Sequence, residues 1–318
     1  MPSDTVAVII PTFNGAAVIE RAVQSVQAQT VPIHEIIIVD DKSTDNTVAV
    51  VEELARKHPN IKLVHQAVNG GVSKARNAGQ KHATADWIAI LDADDAYRPE
   101  RIEKLLQTAR TLNANYVVDN MILHDLDAGV DFRKMMAVDW SQRKMDQAFY
   151  WKNCKLGAPQ FSILKPMIRR DFLERSGLVY DETIGNGQDL IYQGEALALG
   201  AQAAITSEAY YIYSARMGAI SGKMNNQSRT RMNFRGIADG IDALLQRRAD
   251  RIDADARRHA IICRNSMRAM ARINEYRGLR DYDRIASTFK LVTDPGALSL
   301  SLKKRYRKWR VSQSDYAV

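Results

Sequence analysis

The chain has 318 residues, 46% hydrophobic and 26% charged, a composition ordinary for a soluble protein and a length sufficient to bury a sizeable core. No run of 18 or more apolar residues occurs, so no membrane span is expected, and the two cysteines, Cys154 and Cys263, exclude a disulfide-built mini-domain or a cysteine metal cluster and fit a reducing compartment. The net charge of +8 is unevenly placed: residues 223–318 hold 22 Lys and Arg against 10 Asp and Glu, a surplus of +12 that leaves the first 222 residues at −4.

Met1 to Thr5 carries no basic region and runs directly into an apolar strand pattern, so no signal peptide is expected. Val6 to Ile10 is an unbroken β-favouring run closed by Pro11, after which Ile19, Ala22, Val23 and Val26 recur at helical spacing. Ile36 to Val39 predicts a second buried strand ending in Asp40-Asp41, and Val48, Val51 and Leu54 a second helix. A third strand is expected over Ile61 to Val64, followed by the Gly70-Gly71 turn and a short helix with Ala75 and Ala78 inward. Trp87 to Leu91 reads as a fourth strand, with Pro99 placed to open the next helix, and Tyr116 to Val118 as a fifth. Strands alternating with helices predict a mostly parallel sheet covered on both faces. Residues 129–160 lack a clear period and are expected to be irregular with short helices, Trp140 and Trp151 packing there or stacking on a ligand's rings. Beyond Lys223, Ile237, Ile241, Leu244 and Leu245, then Ile261, Ile262, Met267, Met270 and Ile273, predict amphipathic helices with Arg-rich outer faces. Lys303 to Arg310 carries six basic residues in eight, interleaved with Tyr306 and Trp309.

Ligands of open α/β sheets bind at the carboxyl ends of the strands, where Thr12, Asp41 and the Asp92/Asp94/Asp95 cluster fall. The Asp92-x-Asp94 spacing can offer carboxylates to Mg²⁺ or Mn²⁺, which neutralises a diphosphate; turns and helix caps are the competing use of each Asp. Asp45, before Asn46-Thr47, suits a cap. Asn69-Gly70-Gly71 opens a helix carrying Arg76 and Asn77, a plausible phosphate-facing helix end or else a plain surface turn. No Gly-Lys-Ser/Thr follows this turn and no Gly-x-Gly-x-x-Gly follows the first strand, so nothing supports a P-loop or a dinucleotide fold.

In this order, Ile10-Pro11-Thr12-Phe13-Asn14, Val39-Asp40-Asp41-Lys42-Ser43-Thr44-Asp45, Asn69-Gly70-Gly71 with Ala75-Arg76-Asn77-Ala78-Gly79, and Leu91-Asp92-Ala93-Asp94-Asp95 resemble the family 2 glycosyltransferases of the GT-A fold. A later Gly187-Gln188-Asp189 is similar to the family's Gly-Glu-Asp region, with Gln188 standing where Glu is frequent. The resemblance implies an inverting, metal-dependent transferase using a UDP-sugar donor. It places Pro11, Thr12 and Asn14 in the loop lining the nucleotide pocket, Asp41 on the uracil, Asp92 and Ala93 at the ribose and Asp94 on Mn²⁺ or Mg²⁺. Arg76 falls near the phosphates, Asp189 is the catalytic base, and Gln188 lies on the acceptor side. The stretch Tyr211 to Ser221 is similar to a segment closing over the donor phosphates, which makes Arg216 and Ser221 candidates. Val117-Val118-Asp119-Asn120 adds a narrower resemblance to transferases of bacterial exopolysaccharide repeat units, including the succinoglycan type, with Asp119 and Asn120 toward the sugars. Those relatives add glucose to a polyprenyl-diphosphate-linked oligosaccharide at the cytoplasmic face of the inner membrane.

The expected organisation is a GT-A domain over residues 1–222, its nucleotide-binding half 1–120 and its acceptor half 121–222, followed by a basic, mainly helical extension over 223–318. The extension suits an anionic membrane surface, and hence a peripheral protein on the cytoplasmic face of the bacterial inner membrane; it is also a candidate for homo-oligomer contacts. Two rivals remain at this point. A sugar-phosphate nucleotidyltransferase shares the fold but needs a basic glycine-rich loop after Ile10 that is missing. A nucleic-acid-binding protein matches the tail but no recognition motif in the first half, so nucleic acid is not an expected partner.

Overall fold

The computed structural model describes residues 4–126, 128–137, 141–154, 161–215, 233–280, 294, 296 and 299. The first half alternates as expected: β1 (Val6–Thr12), α1 (Ile19–Gln27), β2 (Glu35–Asp40), α2 (Thr47–Lys57), β3 (Ile61–His65), α3 (Gly71–His82) and β4 (Trp87–Ile90). Every residue of β1, β2 and β4 is buried, which is why these strands read as continuous apolar runs rather than alternating ones. All four pair in parallel, with Ile9 of β1 opposite Ile37 of β2 on one side and Ile90 of β4 on the other. Helix α1 buries Ile19, Ala22, Val23 and Val26, the face that the spacing predicts. In α3 Ala75 is buried and Ala78, partly buried, packs against the core as expected, but the inward face is wider, with Ser73, Arg76, Asn77 and Gly79 also buried.

The second half comprises β5 (Ala96–Tyr97), α4 (Arg101–Leu112), β6 (Tyr116–Asp125), β7 (Val130–Lys134), β8 (Gln142–Lys144), α5 (Gln147–Cys154), β9 (Met167–Arg169), α6 (Arg170–Ser176), α7 (Gln188–Ala198), β10 (Ala203–Ala215), α8 (Phe234–Arg247) and α9 (Ala254–Arg280). The strands join one sheet in the order β3-β2-β1-β4-β9-β6-β10-β5, with β7 on β6 and β8 on β10. Strand β9 enters antiparallel between β4 and β6, and β10 runs parallel to β6, so the sheet is mixed but mostly parallel. Among the described residues, the irregular region expected over 129–160 contains two short strands and one helix; β8 is exposed throughout and so has no buried face to give a period. Trp151 is buried against Tyr150 and packs there, whereas Trp140 lies outside the described residues.

Helices α8 and α9 follow the predicted pattern, burying Ile237, Ile241, Leu244 and Leu245 on one and Met267, Met270 and Ile273 on the other; Ile262 is exposed instead. They pack on each other, on α7 and on α5, and share one hydrophobic core with the sheet. Their arginines are largely engaged within the chain. Arg247 and Arg248 both pair with Glu195, Arg264 and Arg268 with Asp242, and Arg235 with Glu275. Lys303 to Arg310 lies outside the described residues, as do Arg216 and Ser221. Among the described residues no helix is long and apolar enough to cross a membrane.

Candidate active site

The carboxyl ends of β1, β2 and β4 open onto a cavity of about 980 Å³, closed on the far side by the N-terminal turn of α7 and by α8 and α9. Pro11, Thr12, Asn14, Asp41, Arg76, Asp92, Ala93, Asp94, Gln188 and Asp189 all line it, so residues scattered from 11 to 189 meet at one place. Chain order alone explains the first group, because parallel strands deliver their carboxyl ends to the same edge. Asp189 arrives by another route. Gly187, at φ +80°, turns the chain into α7, and a Cβ there would collide with Ile237 of α8, so glycine both sets the turn and lets α8 close over it.

Four charged side chains form a closed ring on the cavity floor. Arg76 donates to Asp189 Oδ1 at 2.7 Å and to Asp92 Oδ1 at 2.5 Å. Lys165, in the turn before β9, donates to Asp189 Oδ2 at 2.7 Å and lies 2.9 Å from Asp92 Oδ2. Each cation bridges both carboxylates and each carboxylate receives both cations, which is how four ionised groups are tolerated together in so little water. Burial alone would push the Asp92 carboxyl up, but Lys165 and Arg76 outweigh it and hold it well below the usual carboxylate range. Burial likewise opposes the charges of Arg76 and Lys165, and the two aspartates reverse the effect so that both cations stay protonated. Arg76 also sits 5.0 Å from the ring centre of Tyr180, itself stacked on Tyr192 at 3.8 Å.

Asp94 stands apart from the ring, exposed at the end of β4, and its carboxylate forms no ion pair among the described residues. The protein crowding around it and the neighbouring Asp92 charge push its carboxyl up, the electrostatic condition under which a cation is welcome. No group of three or more His, Cys, Asp or Glu able to hold a metal occurs among the described residues. One free carboxylate therefore fits a hard cation held mostly by substrate phosphates rather than by a protein cage. Asp95 is different: buried, it accepts from Tyr211 Oη at 2.6 Å and from the Ser214 amide at 2.8 Å, tying the β4 end to β10.

Several of the expected residues have partners within the chain. Both Asp41 oxygens accept from the first amides of α3, Gly70 at 2.8 Å and Gly71 at 2.7 Å, so the helix end expected to face phosphate is occupied by Asp41. Asn14, at φ 51°, clamps the 43–45 loop through its Oδ1, which accepts from the Thr44 amide at 2.8 Å. Asp45 accepts from the Ala16 and Thr47 amides, the structural use expected of it. Asp119 and Asn120 do not reach the cavity. Asp119 is fully buried against Arg101, which donates to it at 2.8 and 3.1 Å and lies 4.2 Å from the ring centre of Tyr97. Asn120 spends its amide group on the Met136 and Ser207 carbonyls and its Oδ1 on the Met121 and Met136 amides. Both therefore fasten β6 to its surroundings, and neither of these two expected sugar contacts lines the cavity.

Two cavity residues escape the motif reading. Lys165 is signalled only as a lone charge inside the apolar run Phe161 to Ile168, and Phe13, 51% exposed at the cavity lip, only by its place between Thr12 and Asn14. Thr12 Oγ1 and Gln188 Oε1 are buried cavity-lining atoms without a hydrogen-bond partner, as a wall awaiting a ligand's polar groups would be.

Comparison with known proteins gives this geometry its context. Succinoglycan biosynthesis protein ExoO of Rhizobium meliloti is 31% identical over 300 residues, covering 93% of this chain and 81% of that protein. ExoU of the same organism, also named for succinoglycan biosynthesis, is 29% identical over 265 residues, 81% of this chain and 75% of its own length. Among solved structures, S. aureus TarS 1–349 in complex with UDP-GlcNAc superposes with a TM-score of 0.65 at 18% identity over 93% of this chain and 79% of that one. The mannosyltransferase PcManGT from Pyrobaculum calidifontis, in complex with GDP-Man and Mn²⁺, gives 0.57 at 20% identity over 98% and 84%. The Glycosyl transferase family 2 profile matches residues 7–176, the stretch that carries the three parallel strand ends, Arg76, the Asp92/Asp94 pair and Lys165. With its GT-A-like fold and these strand-end residues, the chain belongs to glycosyl transferase family 2 and is a glycosyltransferase.

Proposed function

We propose that the protein transfers one sugar, glucose by its likeness to the succinoglycan-type enzymes, from a UDP-sugar to a hydroxyl of a growing exopolysaccharide oligosaccharide, with inversion at the anomeric carbon. The observation that carries this reading is the meeting of Asp94 and the Arg76/Lys165/Asp92/Asp189 ring on the floor of one cavity, which joins anion-binding cations to a candidate base. Phe13 offers an exposed aromatic face for the nucleotide base, and Thr12 Oγ1 an unpartnered polar atom beside it. Asp94 would hold Mn²⁺ or Mg²⁺, which when bound neutralises charge on the leaving diphosphate. Asp189 takes the proton of the acceptor hydroxyl; the acceptor oxygen bonds to the anomeric carbon as the bond to the β-phosphate oxygen breaks, and UDP leaves with that electron pair. Gln188, beside Asp189 and with a free Oε1, orients the acceptor on that side.

The acceptor reading draws support from the two relatives named for succinoglycan biosynthesis. A lipid-linked acceptor would bring the chain to the inner face of the cytoplasmic membrane, with Lys303 to Arg310 meeting anionic headgroups and a second copy of the chain as a further candidate contact. The test is product analysis. Incubation with radiolabelled UDP-glucose, Mn²⁺ and a lipid extract from an exopolysaccharide-producing bacterium should release UDP and label the lipid-linked fraction. Asp189→Asn should lower kcat by about 10²–10⁴-fold with the fold intact. Conversion of UDP-glucose and added pyrophosphate into UTP and glucose 1-phosphate, or turnover undiminished in Asp189→Asn, would contradict the reading.

A further inference from the structure

The ring on the cavity floor leaves a problem for Asp189. Both its oxygens already accept from cations, Oδ1 from Arg76 and Oδ2 from Lys165, so an acceptor hydroxyl meets a carboxylate engaged on both sides. The two cations are not equivalent. Arg76 is 1% exposed, planar and fixed by contacts on two sides, bridging both aspartates with Tyr180 beside it. Lys165 presents a compact ammonium on a flexible stem, and it lines the cavity next to Asp92 and Asp189. Its backbone is held from behind. Arg101, locked to Asp119, donates to the Lys165 carbonyl at 2.8 Å, so the stem has a fixed origin, while its buried end pairs with both carboxylates at the cavity wall.

We propose that Lys165 is a donor-sensing cation: in the donor-free protein it neutralises Asp92 and Asp189, and when a nucleoside diphosphate enters it moves onto the diphosphate oxygens, releasing Asp189 Oδ2 to accept the hydroxyl proton. The transfer needs no net change of charge at the ring's cation, only an exchange of anionic partners. A diphosphate carries more negative charge than either carboxylate, which favours the exchange, and ammonium hydrogen bonds are strengthened by charge on both partners. Arg76 keeps Asp92 and Asp189 in register while this happens, so the base is unveiled without being displaced. The device also explains why a lysine stands in an apolar turn far from the strand-end motifs: it links an occupied donor site to an available base.

This inference rests on the cavity being a nucleoside-diphosphate site. The experiment compares UDP and uridine binding by isothermal titration in saturating Mn²⁺, using the full chain, Lys165→Met, and the double variant Lys165→Met/Asp189→Asn, each checked for folding by circular dichroism. The double variant removes one cation and one anion, and so restores the ring's charge balance without restoring the ammonium. The expected result is that the preference for UDP over uridine falls by about 10- to 100-fold in Lys165→Met and stays low in the double variant, while uridine binding is unchanged. A preference that recovers in the double variant would overturn the proposal, since site charge alone would then account for the loss. An undiminished preference in folded Lys165→Met would also overturn it, leaving the diphosphate site standing. Wild-type protein that binds UDP no better than uridine would instead overturn the diphosphate reading, and this inference with it.

Discussion

Glu35 shows how a single buried carboxylate holds two layers of the molecule together. It is 1% exposed at the start of β2, and its oxygens accept from Lys62 Nζ at 2.6 Å, from the Thr84 amide at 2.6 Å and from the Ala85 amide at 3.0 Å. Burial raises its carboxyl, but the Lys62 and backbone hydrogen bonds together outweigh burial and lower it. A folded value below the unfolded one means that the stabilisation is complete above the ordinary glutamate range and is lost as pH falls through the lowered folded value. Glu35→Gln should therefore reduce stability by about 1–3 kcal/mol at pH 7, measured by urea denaturation, with the gap to wild type closing as the pH is taken below 4. A gap that is constant with pH would contradict it. At this scale the candidate site was legible wherever a residue sat at the end of a predicted strand: Thr12, Asp41, Asp92 and Asp94 all line the cavity. Asp119 and Asn120 lie away from the cavity for a reason that is not visible locally. A carboxylate and an amide at a strand end look alike whether they face solvent or a buried Arg101, and only the tertiary partner decides. Lys165 was illegible because its partners lie 73 residues upstream and 24 downstream, beyond any local pattern.

At the scale of elements, α3 is the piece on which the site depends. It carries Arg76 inward, its first amides are capped by Asp41, and it lies so close to β1 that a Cβ at Gly79 would collide with the Ile9 side chain. Gly79→Ala gains at most about 1 kcal/mol of helix propensity but forces apart a packed helix and strand, at about 1–3 kcal/mol. The expected outcome is a lower melting temperature together with weaker UDP binding, because Arg76 shifts with the helix; an unchanged or raised melting temperature would show that α3 has room to move. Strands β1, β2 and β4 of the parallel core were readable because each is a continuous apolar run. Strands β9 and β10 were not. Three residues of β9 are too few to show a period, and β10 carries irregularities in its pairing with β6 between Thr206 and Tyr211 that break any alternation. The buried face of α3 is wider than its alanines show because it also includes Arg76 and Asn77, whose burial is made tolerable by ion pairs and by hydrogen bonds to Tyr180 rather than by apolar packing.

For the molecule as a whole, the +12 surplus of residues 223–318 overstates the free positive charge that α8 and α9 present. Glu195 and Asp242 each hold two arginines, so those basic residues fasten the helices to α7 and to each other before they meet any partner. A membrane role for the tail thus falls chiefly to Lys303–Arg310. Sedimentation with vesicles containing phosphatidylglycerol should be strong at low salt, weaken toward 1 M NaCl, and fall when these six basic residues are replaced by glutamine. Binding that is indifferent to both changes would exclude an electrostatic tail. The cavity, by contrast, belongs to the whole chain: its walls come from β1, α3, the β4 end, the turn before β9, α7, α8 and α9, and so it exists only when both halves are folded together. We propose that this cavity takes a metal-assisted nucleoside diphosphate with Asp94 as the protein's own ligand to the metal. Isothermal titration of UDP into wild type and Asp94→Ala, each with and without Mn²⁺, tests it most directly. Mn²⁺ should tighten UDP binding in wild type, and this gain should fall by about 10- to 100-fold or more in Asp94→Ala; an equal gain in both proteins, or UDP binding in neither, would contradict it.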